Sequence, residues 1–516
     1  MSRSAILTRF LVAAIALGAI VTGLVQLRHA RDGLSITHQT LGSTPVTIFR
    51  AANASKPSPV VVIAHGFAGS QQLMQPFAMT LAHAGYTAVT FDFLGHGRNP
   101  VPMRGEITEG TSITAALLNE LGQVADFARK LPGTDGRIAV LGHSMASDIV
   151  VRYAMAHPDV AATIAVSVFS PVVTANSPRN LLVIVGSAEP AMLRDEGLRI
   201  VNLGAGGHAA ERETYGQFGN GTARRLVLAG GVEHIGVLYS KDSMNEAMAW
   251  MNSAFDRQDV GPIDRRGLPL ALLFAGIIAL AWPLSSLLPI VAPAPMGASL
   301  RWKPLLLAAF GPALATPLIL WKMPTDFLPI LLGDYLALHF SLYAILTALA
   351  IRLTRNAPSD TAPARLAAAG SFASIGIAFV AVFAYEAAGF GLPTDAYVFS
   401  FWPIAPRIPL IAVIACATLP YFIADEWLTR GAFARRGAYP LTKFCFLLSL
   451  AIAVALNPQK LFFLFIIVPA ILLLFVAFGL ISRWAYTRTR HPLPGALANA
   501  LIFAWAIGVT FPLIVR

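Results

Sequence analysis

Hydrophobic and polar positions divide the chain into three textures. The first is an apolar run from Ala5 to Leu24, behind Arg3 and broken only by Arg9. Its length, about that needed to cross the hydrocarbon of a bilayer, favours an uncleaved anchor. A signal peptide is the other reading, although no small-x-small cleavage site follows it. The second texture runs from Gly33 to Arg257 and is that of a water-facing domain. Short β-rich runs (Val60–Ala64, Thr87–Phe93, Arg137–Leu141, Ala162–Phe169, Leu181–Val185 and Arg225–Leu228) alternate with helix-like stretches such as Gln71–Ala84 and Thr111–Lys130. That alternation predicts an α/β fold, a mostly parallel sheet with helices on both faces. Leu34–Ala51 alternates like an antiparallel hairpin at the sheet edge. The third texture follows a charged linker, Asp256–Arg266. Apolar runs at about 267–289, 303–321, 327–351, 366–390, 407–424, 442–456, 461–482 and 494–515 predict an all-α transmembrane bundle of about eight helices. The expected partition is residues 1–27 as anchor, 33–257 as α/β domain and 267–516 as membrane domain.

Composition supports this division. Of 516 residues, 56% are hydrophobic and 13% charged, well below the roughly 25% charged residues of soluble domains. The net charge of +11 sits on residues scattered between apolar runs. This pattern fits membrane-flanking anchors and argues against nucleic acid as a partner. Cys416 and Cys445 are the only cysteines, so neither a disulfide framework nor a cysteine-held metal is expected.

Basic residues also give an orientation. With the N-terminus in the cytoplasm and every run crossing once, the cytoplasmic segments carry Arg3, Arg9, Arg301, Lys303, Arg352, Arg355, Arg365, Arg430, Arg435, Arg436, Lys443, Arg483, Arg488 and Arg490. The short opposite loops carry little beyond Lys322, Arg407 and Lys460. The asymmetry predicts a multi-pass membrane protein with residues 33–257 outside the cytoplasm, in the periplasm of a Gram-negative cell. Arg28, Arg31, Arg265 and Arg266 oppose it, but large translocated domains override local charge.

The chemistry centres on Val140-Leu141-Gly142-His143-Ser144-Met145-Ala146, where a β-run enters Gly-x-Ser-x-Ala and a helical stretch follows. A serine at such a strand-to-helix turn is exposed on a tight bend, with helix amides aimed at the reacting atoms. Upstream, Val60–Ala64 leads into His65-Gly66-Phe67-Ala68-Gly69-Ser70, and Thr87–Phe93 leads into Asp92-Phe93-Leu94-Gly95-His96-Gly97-Arg98. In this order and spacing the motifs resemble the α/β-hydrolase superfamily, in particular its lipase/esterase and serine-aminopeptidase-like branches, over roughly residues 33–255. Ala146 stands where the family usually has Gly.

The resemblance implies a triad in the order serine, acid, histidine: Ser144 as nucleophile, Glu189 at a position commonly held by Asp, and His234 in Ala229-Gly230-Gly231-Val232-Glu233-His234. Asp195 and Glu211 are the alternative acids, and His208 the alternative base. The amides of Phe67 and Met145 would form the oxyanion hole. His65 and His96 are expected to pack loops, His143 to pack or tune the elbow, Asp148 to support the helix after it, and Arg98 and Arg104 to be solvated. No cofactor or metal is implied. Only about 45 residues lie between Ser144 and Glu189 (the span of one strand and its connections), which leaves no room for a large lid.

The expected activity is hydrolysis of a carboxylic ester, with a lipid or other apolar acyl ester delivered from membrane lipids as the attractive substrate. Amide or peptide hydrolysis by the same residues is the alternative. From another class, the membrane domain could be a transporter or receptor with the hydrolase region as its sensor. The oligomeric state is not legible.

Within the apolar runs, Asp334, His339, Glu386, Asp425 and Glu426 are costly and therefore functional candidates. Interhelical hydrogen bonding is the expectation for Asp334 and His339. For Asp425 and Glu426 it is an interfacial loop paired with Arg430 or Arg435. Asp425-Glu426-x-x-x-Arg430 also resembles the Glu-Glu-x-x-x-Arg signature of intramembrane CAAX-type proteases. That family needs two later histidines, and His491 is the only one here.

Overall fold

The computed structural model describes residues 3–105, 111–354 and 372–515. Arg355, Arg365 and the opening of the 366–390 run lie outside them. The chain forms two compact units, neither continuous in sequence. One holds the chain from Thr22 to Ala271, the segment Thr394–Ser400 and the chain end from Pro512; the other holds the remainder.

The first unit is built on a nine-stranded sheet with order β1-β2-β4-β3-β6-β7-β8-β10-β9. The strands are β1 Leu34–Leu41, β2 Thr44–Ala51, β3 Ser58–Ala64, β4 Thr87–Phe91, β6 Thr134–His143, β7 Val160–Val166, β8 Leu181–Gly186, β9 Thr214–Tyr215 and β10 Arg224–Ala229. The run from β4 through β10 pairs in parallel, whereas β1–β2, β2–β4 and β9–β10 are antiparallel. The edge hairpin read from the sequence is β1–β2.

The helices of this unit are α2 Gln75–His83, α3 Thr111–Arg129, α4 Met145–Ala156, α5 Ala191–Ala205 and α6 Lys241–Phe255. Period-two alternation sorts β8 between two cores. Leu182 and Ile184 join α2 and α6 in one cluster; Leu181, Val183 and Val185 join Ile200 and Val201 of α5 in the other. A sheet covered on both faces explains the nearly continuous apolar strands.

After β3 the chain moves to β4 on one side and then returns to β6 on the other. A crevice at the carboxyl ends of strands forms at such a reversal. The Phe67 loop follows β3 and Ser144 follows β6, so the order of strands alone brings them together.

The chain end departs from the sequence expectation. The last helix stops at Thr510, and β11, Ile514–Val515, pairs in parallel with β5, Met103–Arg104. Pro512 supplies no amide to continue a helix, so the 494–515 run is a helix followed by a strand.

The second unit is helical. It contains most of α1 Arg3–His29, α7 Gly267–Leu284 and α10 Phe372–Tyr397, with α8 Trp302–Leu320, α9 Gly333–Thr354, α11 Ile408–Thr429, α12 Ala438–Leu456, α13 Pro458–Thr489 and α14 Leu493–Thr510. Among the described residues, nine helices are long and apolar enough to cross a membrane, as in a multi-pass membrane protein. Their outer faces also show large apolar side chains, such as Leu307, Leu314 and Leu318 on α8 and Leu473 and Val476 on α13, which water would not favour.

One expectation is corrected here. Asp425 and Glu426 are not in a loop: they lie buried in the last turns of α11. Glu426 pairs with Arg430 at 2.7 Å, and Asp425 with Lys443 of α12. Paired cations remove the cost that would otherwise expel these carboxylates from the helix. Asp334 accepts from the backbone amides of Phe327 and Tyr335, at the start of its own helix. His339 meets the Tyr335 hydroxyl one turn before it at 3.3 Å. These bonds lie within α9 and the residues leading into it.

Candidate active site

Ser144 lies between β6 and α4 at φ 54°, ψ −119°, a backbone region that residues other than glycine rarely occupy. The surroundings hold it there. Its amide donates to Val166 O of β7 at 2.9 Å, and its carbonyl accepts from the Ser147 amide at 2.8 Å and the Ser147 hydroxyl at 2.5 Å. A side chain at Gly142 would run into the carbonyl of Ala146. The tight bend therefore demands glycine at 142, while it accommodates the buried Ala146.

Three of the expected residues are brought together. His234 Nε2 is 3.0 Å from Ser144 Oγ, and its Nδ1 is 2.7 Å from Glu189 Oε2. The second oxygen of Glu189 accepts from the Gly186 amide and the Ser167 hydroxyl, each at 2.7 Å. The glutamate folds back over its own turn after β8, which accommodates its extra methylene. Its side chain is fully enclosed while that of His234 remains 15% exposed. With a carboxylate at Nδ1, the proton resides on that nitrogen and Nε2 is the acceptor facing the serine.

The His234 loop is tied to the turn after β8. Ser187 N donates to Ala229 O at 2.8 Å, Gly231 N to Ser187 Oγ at 2.8 Å, and Ala188 N to Val232 O at 3.0 Å. The alternatives lie elsewhere. Asp195 is exposed on α5, Glu211 is exposed beside Arg212, and His208 is exposed in the loop before β9.

The Phe67 loop passes over the elbow. Gly69 N donates to Gly66 O at 3.1 Å, closing a turn in which Ala68 has φ 55°. Met145 is the first residue of α4, where the opening amides have no partner within the helix. Phe67 and Met145 thus occupy the two backbone positions flanking Ser144 from which an oxyanion could be stabilised.

The remaining histidines are structural in their contacts. His65 is fully buried; its Nδ1 donates to Gly66 O at 2.8 Å and its Nε2 accepts from Phe93 N at 3.1 Å. Burial holds its pKa below the ordinary value. His96 packs its ring 5.2 Å from His65 and 6.2 Å from Phe67.

His143 is buried beside His234, with ring centroids 4.8 Å apart, and donates from Nε2 to His234 O at 2.9 Å. Burial, reinforced by the neighbouring His234, keeps the His143 imidazole neutral by pushing its pKa well down. Asp148 accepts from Ser170 Oγ at 2.6 Å and pairs with Arg152, fastening α4 to the loop after β7. Arg104 is exposed; Arg98, expected to be solvated, pairs with Asp395.

Ser147 and Ser167 were not legible as site residues. Their one signal is position: Ser147 lies three residues beyond the nucleophile, and Ser167 is the first residue past β7.

Comparison with known proteins agrees with this fold. Residues 55–192 match the family described as Serine aminopeptidase, S33. That segment includes Phe67, Ser144, Met145 and Glu189, and ends before His234. Two curated Escherichia coli sequences, each an uncharacterized 31.7 kDa protein in the traX-finO intergenic region, are 28% identical over 114 residues, which is 22% of this chain. The chain spans 38% of the length of those curated relatives.

A candidate dienelactone hydrolase from Klebsiella pneumoniae aligns with 44% of this chain and 100% of its own, at 18% identity and a TM-score of 0.34. A hypothetical protein of Pseudomonas aeruginosa aligns with 44% of this chain and 95% of its own, at 11% identity and the same TM-score. The part of the chain around Ser144 is an α/β-hydrolase domain that matches the serine aminopeptidase S33 family, and a helical region of many candidate membrane spans follows it.

Proposed function

We propose that this chain is a membrane-bound serine hydrolase that cleaves carboxylic esters through Ser144, His234 and Glu189. The observation carrying the reading is the unbroken series of contacts from Glu189 Oε2 to His234 to Ser144 Oγ, at 2.7 and 3.0 Å, ending on a strained elbow.

In this reading Ser144 Oγ attacks the substrate carbonyl carbon while His234 Nε2 takes its proton. Glu189 stabilises the imidazolium and fixes its tautomer. The amides of Phe67 and Met145 hold the negative oxygen of the tetrahedral intermediate. Collapse expels the alcohol, which takes the proton back from His234. Water then attacks the acyl-enzyme with His234 again as base, releasing the carboxylic acid and restoring Ser144. No step calls for a cofactor.

An apolar acyl ester, such as a lipid ester delivered from the bilayer, is the proposed substrate. Two features support it. Phe169, just past β7, and Ile235, next to His234, are exposed at the strand ends that carry the site. The chain also holds many membrane-length helices. The match to an aminopeptidase family favours a second reading, amide or peptide hydrolysis by the same residues.

The test uses full-length protein in membranes with p-nitrophenyl esters of increasing chain length and an aminoacyl anilide. Ester hydrolysis should rise with acyl length and vanish in Ser144→Ala at equal expression. Full activity in Ser144→Ala would remove the mechanism, and preference for the anilide would select the peptidase. Location outside the cytoplasm is part of the proposal, supported by the basic residues described above. Ala156→Cys should react with an impermeant thiol reagent without opening the cytoplasmic membrane; reaction only after opening reverses the orientation.

A further inference from the structure

The segment Thr394–Ser400 is the last turn of α10 and the three residues after it, and although α10 is of membrane-spanning length, this segment belongs to the compact unit that contains Ser144. Its contacts converge on one place. Ser400 N donates to Ser70 Oγ at 3.0 Å, and Ser400 Oγ meets Gln72 Oε1 at 3.1 Å. Gln72 Nε2 reaches Asp395 O at 3.3 Å, and Gln75 Nε2 reaches Ala396 O at 3.4 Å. Arg98 Nη2 donates to both carboxylate oxygens of Asp395, at 2.8 and 2.6 Å. Ser70, Gln72 and Ser400 are all buried, so water offers these groups no ready substitute.

Ser70 is the residue immediately after the Gly66–Gly69 turn that presents Phe67. On the other side, the turn is anchored through His65 to the Phe93 amide at 3.1 Å. The Asp92 carboxylate links the two sides, accepting from Gln71 N at 2.8 Å and Arg98 N at 3.0 Å. The Phe67 turn is therefore suspended between two anchors, and a segment from the far half of the chain fastens one of them.

We propose that Thr394–Ser400 is a positioning strap for the Phe67 amide, holding the Gly66–Gly69 turn where it stabilises the oxyanion. Asp395 and Ser400 are its positioning residues, acting through Arg98 and Ser70. Because the strap begins as the last turn of α10, a displacement of that helix end would reach the hydrolytic site through it. This gives the helical region a means of setting the hydrolysis rate. The inference rests on the serine-hydrolase reading above.

The test compares an ester with its thionoester, since backbone amides stabilise an anionic oxygen better than an anionic sulfur. The ratio of the two rates therefore reports the oxyanion contact, which general loss of structure would not selectively change. In full-length protein, Asp395→Ala should lower ester kcat about tenfold, as expected for a slight misplacement of a catalytic group. KM should stay unchanged while the ester-to-thionoester ratio contracts. Ser70→Ala, which deletes only the hydroxyl that accepts from Ser400, should move both readouts in the same direction and keeps the test available if Asp395→Ala does not fold. Unchanged kcat in both variants, or a fall in kcat with an unchanged ratio, overturns the strap. Hydrolysis that depends on Ser144 but ignores Asp395 and Ser70 sinks the strap alone; a wild type without hydrolysis that depends on Ser144 sinks both readings.

Discussion

Gly66 faces Ser144 so closely that a Cβ added at position 66 would stand 2.9 Å from the serine Cβ and 3.1 Å from the His143 carbonyl oxygen. The loop that carries Phe67 approaches the nucleophile only because residue 66 has no side chain. Gly66→Ala must therefore push the loop outward, carrying the Phe67 amide with it. The expected result is a fall in kcat of about 100-fold, the scale of an ångström's misplacement. Steady-state ester kinetics on folded Gly66→Ala protein measure it, and an unchanged kcat would show that the loop amide takes no part.

Glu189 supplies the second prediction. Glu189→Gln keeps the shape of the side chain but removes the negative charge that faces His234 Nδ1 at 2.7 Å. The amide nitrogen would favour the wrong imidazole tautomer, with the proton on Nε2, where it cannot accept from Ser144. A loss of roughly three to four orders of magnitude in kcat is expected. Asp195→Asn and Glu211→Gln, at the alternative acids, should leave kcat at the wild-type level. Comparable losses there would reassign the acid.

Stability should depend on pH through Glu120. This buried carboxylate accepts from Thr44 Oγ, Leu94 N and Asn99 Nδ2 at 2.6, 2.7 and 2.8 Å. Burial nevertheless raises its pKa from 4.5 to about 7, with Asp92 adding to the rise. Between those values the folded chain holds a proton that the unfolded chain releases, so stability falls as pH rises through the window. The whole effect is at most about 3 kcal/mol. Melting of the detergent-solubilised protein should show a lower midpoint at pH 8 than at pH 5. The drop should shrink in Glu120→Gln, and an identical drop in the variant would assign the dependence to other groups.

The sequence conveyed the sheet and the three side chains that meet at Ser144 for the same reason. Each of Ser144, Glu189 and His234 lies within a few residues of the end of an apolar β-run, so locating the strands also located the site. Ser167 also follows a β-run, but its hydrogen bond to Glu189 depends on how β7 and β8 register, which the run alone does not record. The strap was invisible because Arg98 and Asp395 are 297 residues apart, and no local periodicity records such a pairing. β11 was hidden by its own apolarity, which continues the pattern of the preceding helix. Asp425 and Glu426 were read as a loop because charge normally ends a membrane helix, and the partner that keeps Asp425 inside, Lys443, belongs to another helix.

That partner gives the last prediction. Lys443 Nζ pairs with the buried Asp425 and lies 4.7 Å from the Tyr439 ring centroid and 5.0 Å from that of Phe475. Removing the cation alone strands a carboxylate in an apolar interior, so Lys443→Met should destabilise the helical unit by about 3–5 kcal/mol. Methionine also fits the aromatic surroundings that the lysine leaves. The double variant Asp425→Asn/Lys443→Met, which removes both charges, should therefore recover most of the loss. Melting midpoints of wild type, both single variants and the double variant in one detergent close the cycle. Recovery in the double variant assigns the stabilisation to the pairing of the two charges; a double variant as unstable as the sum of the singles would show that each side chain acts through other contacts.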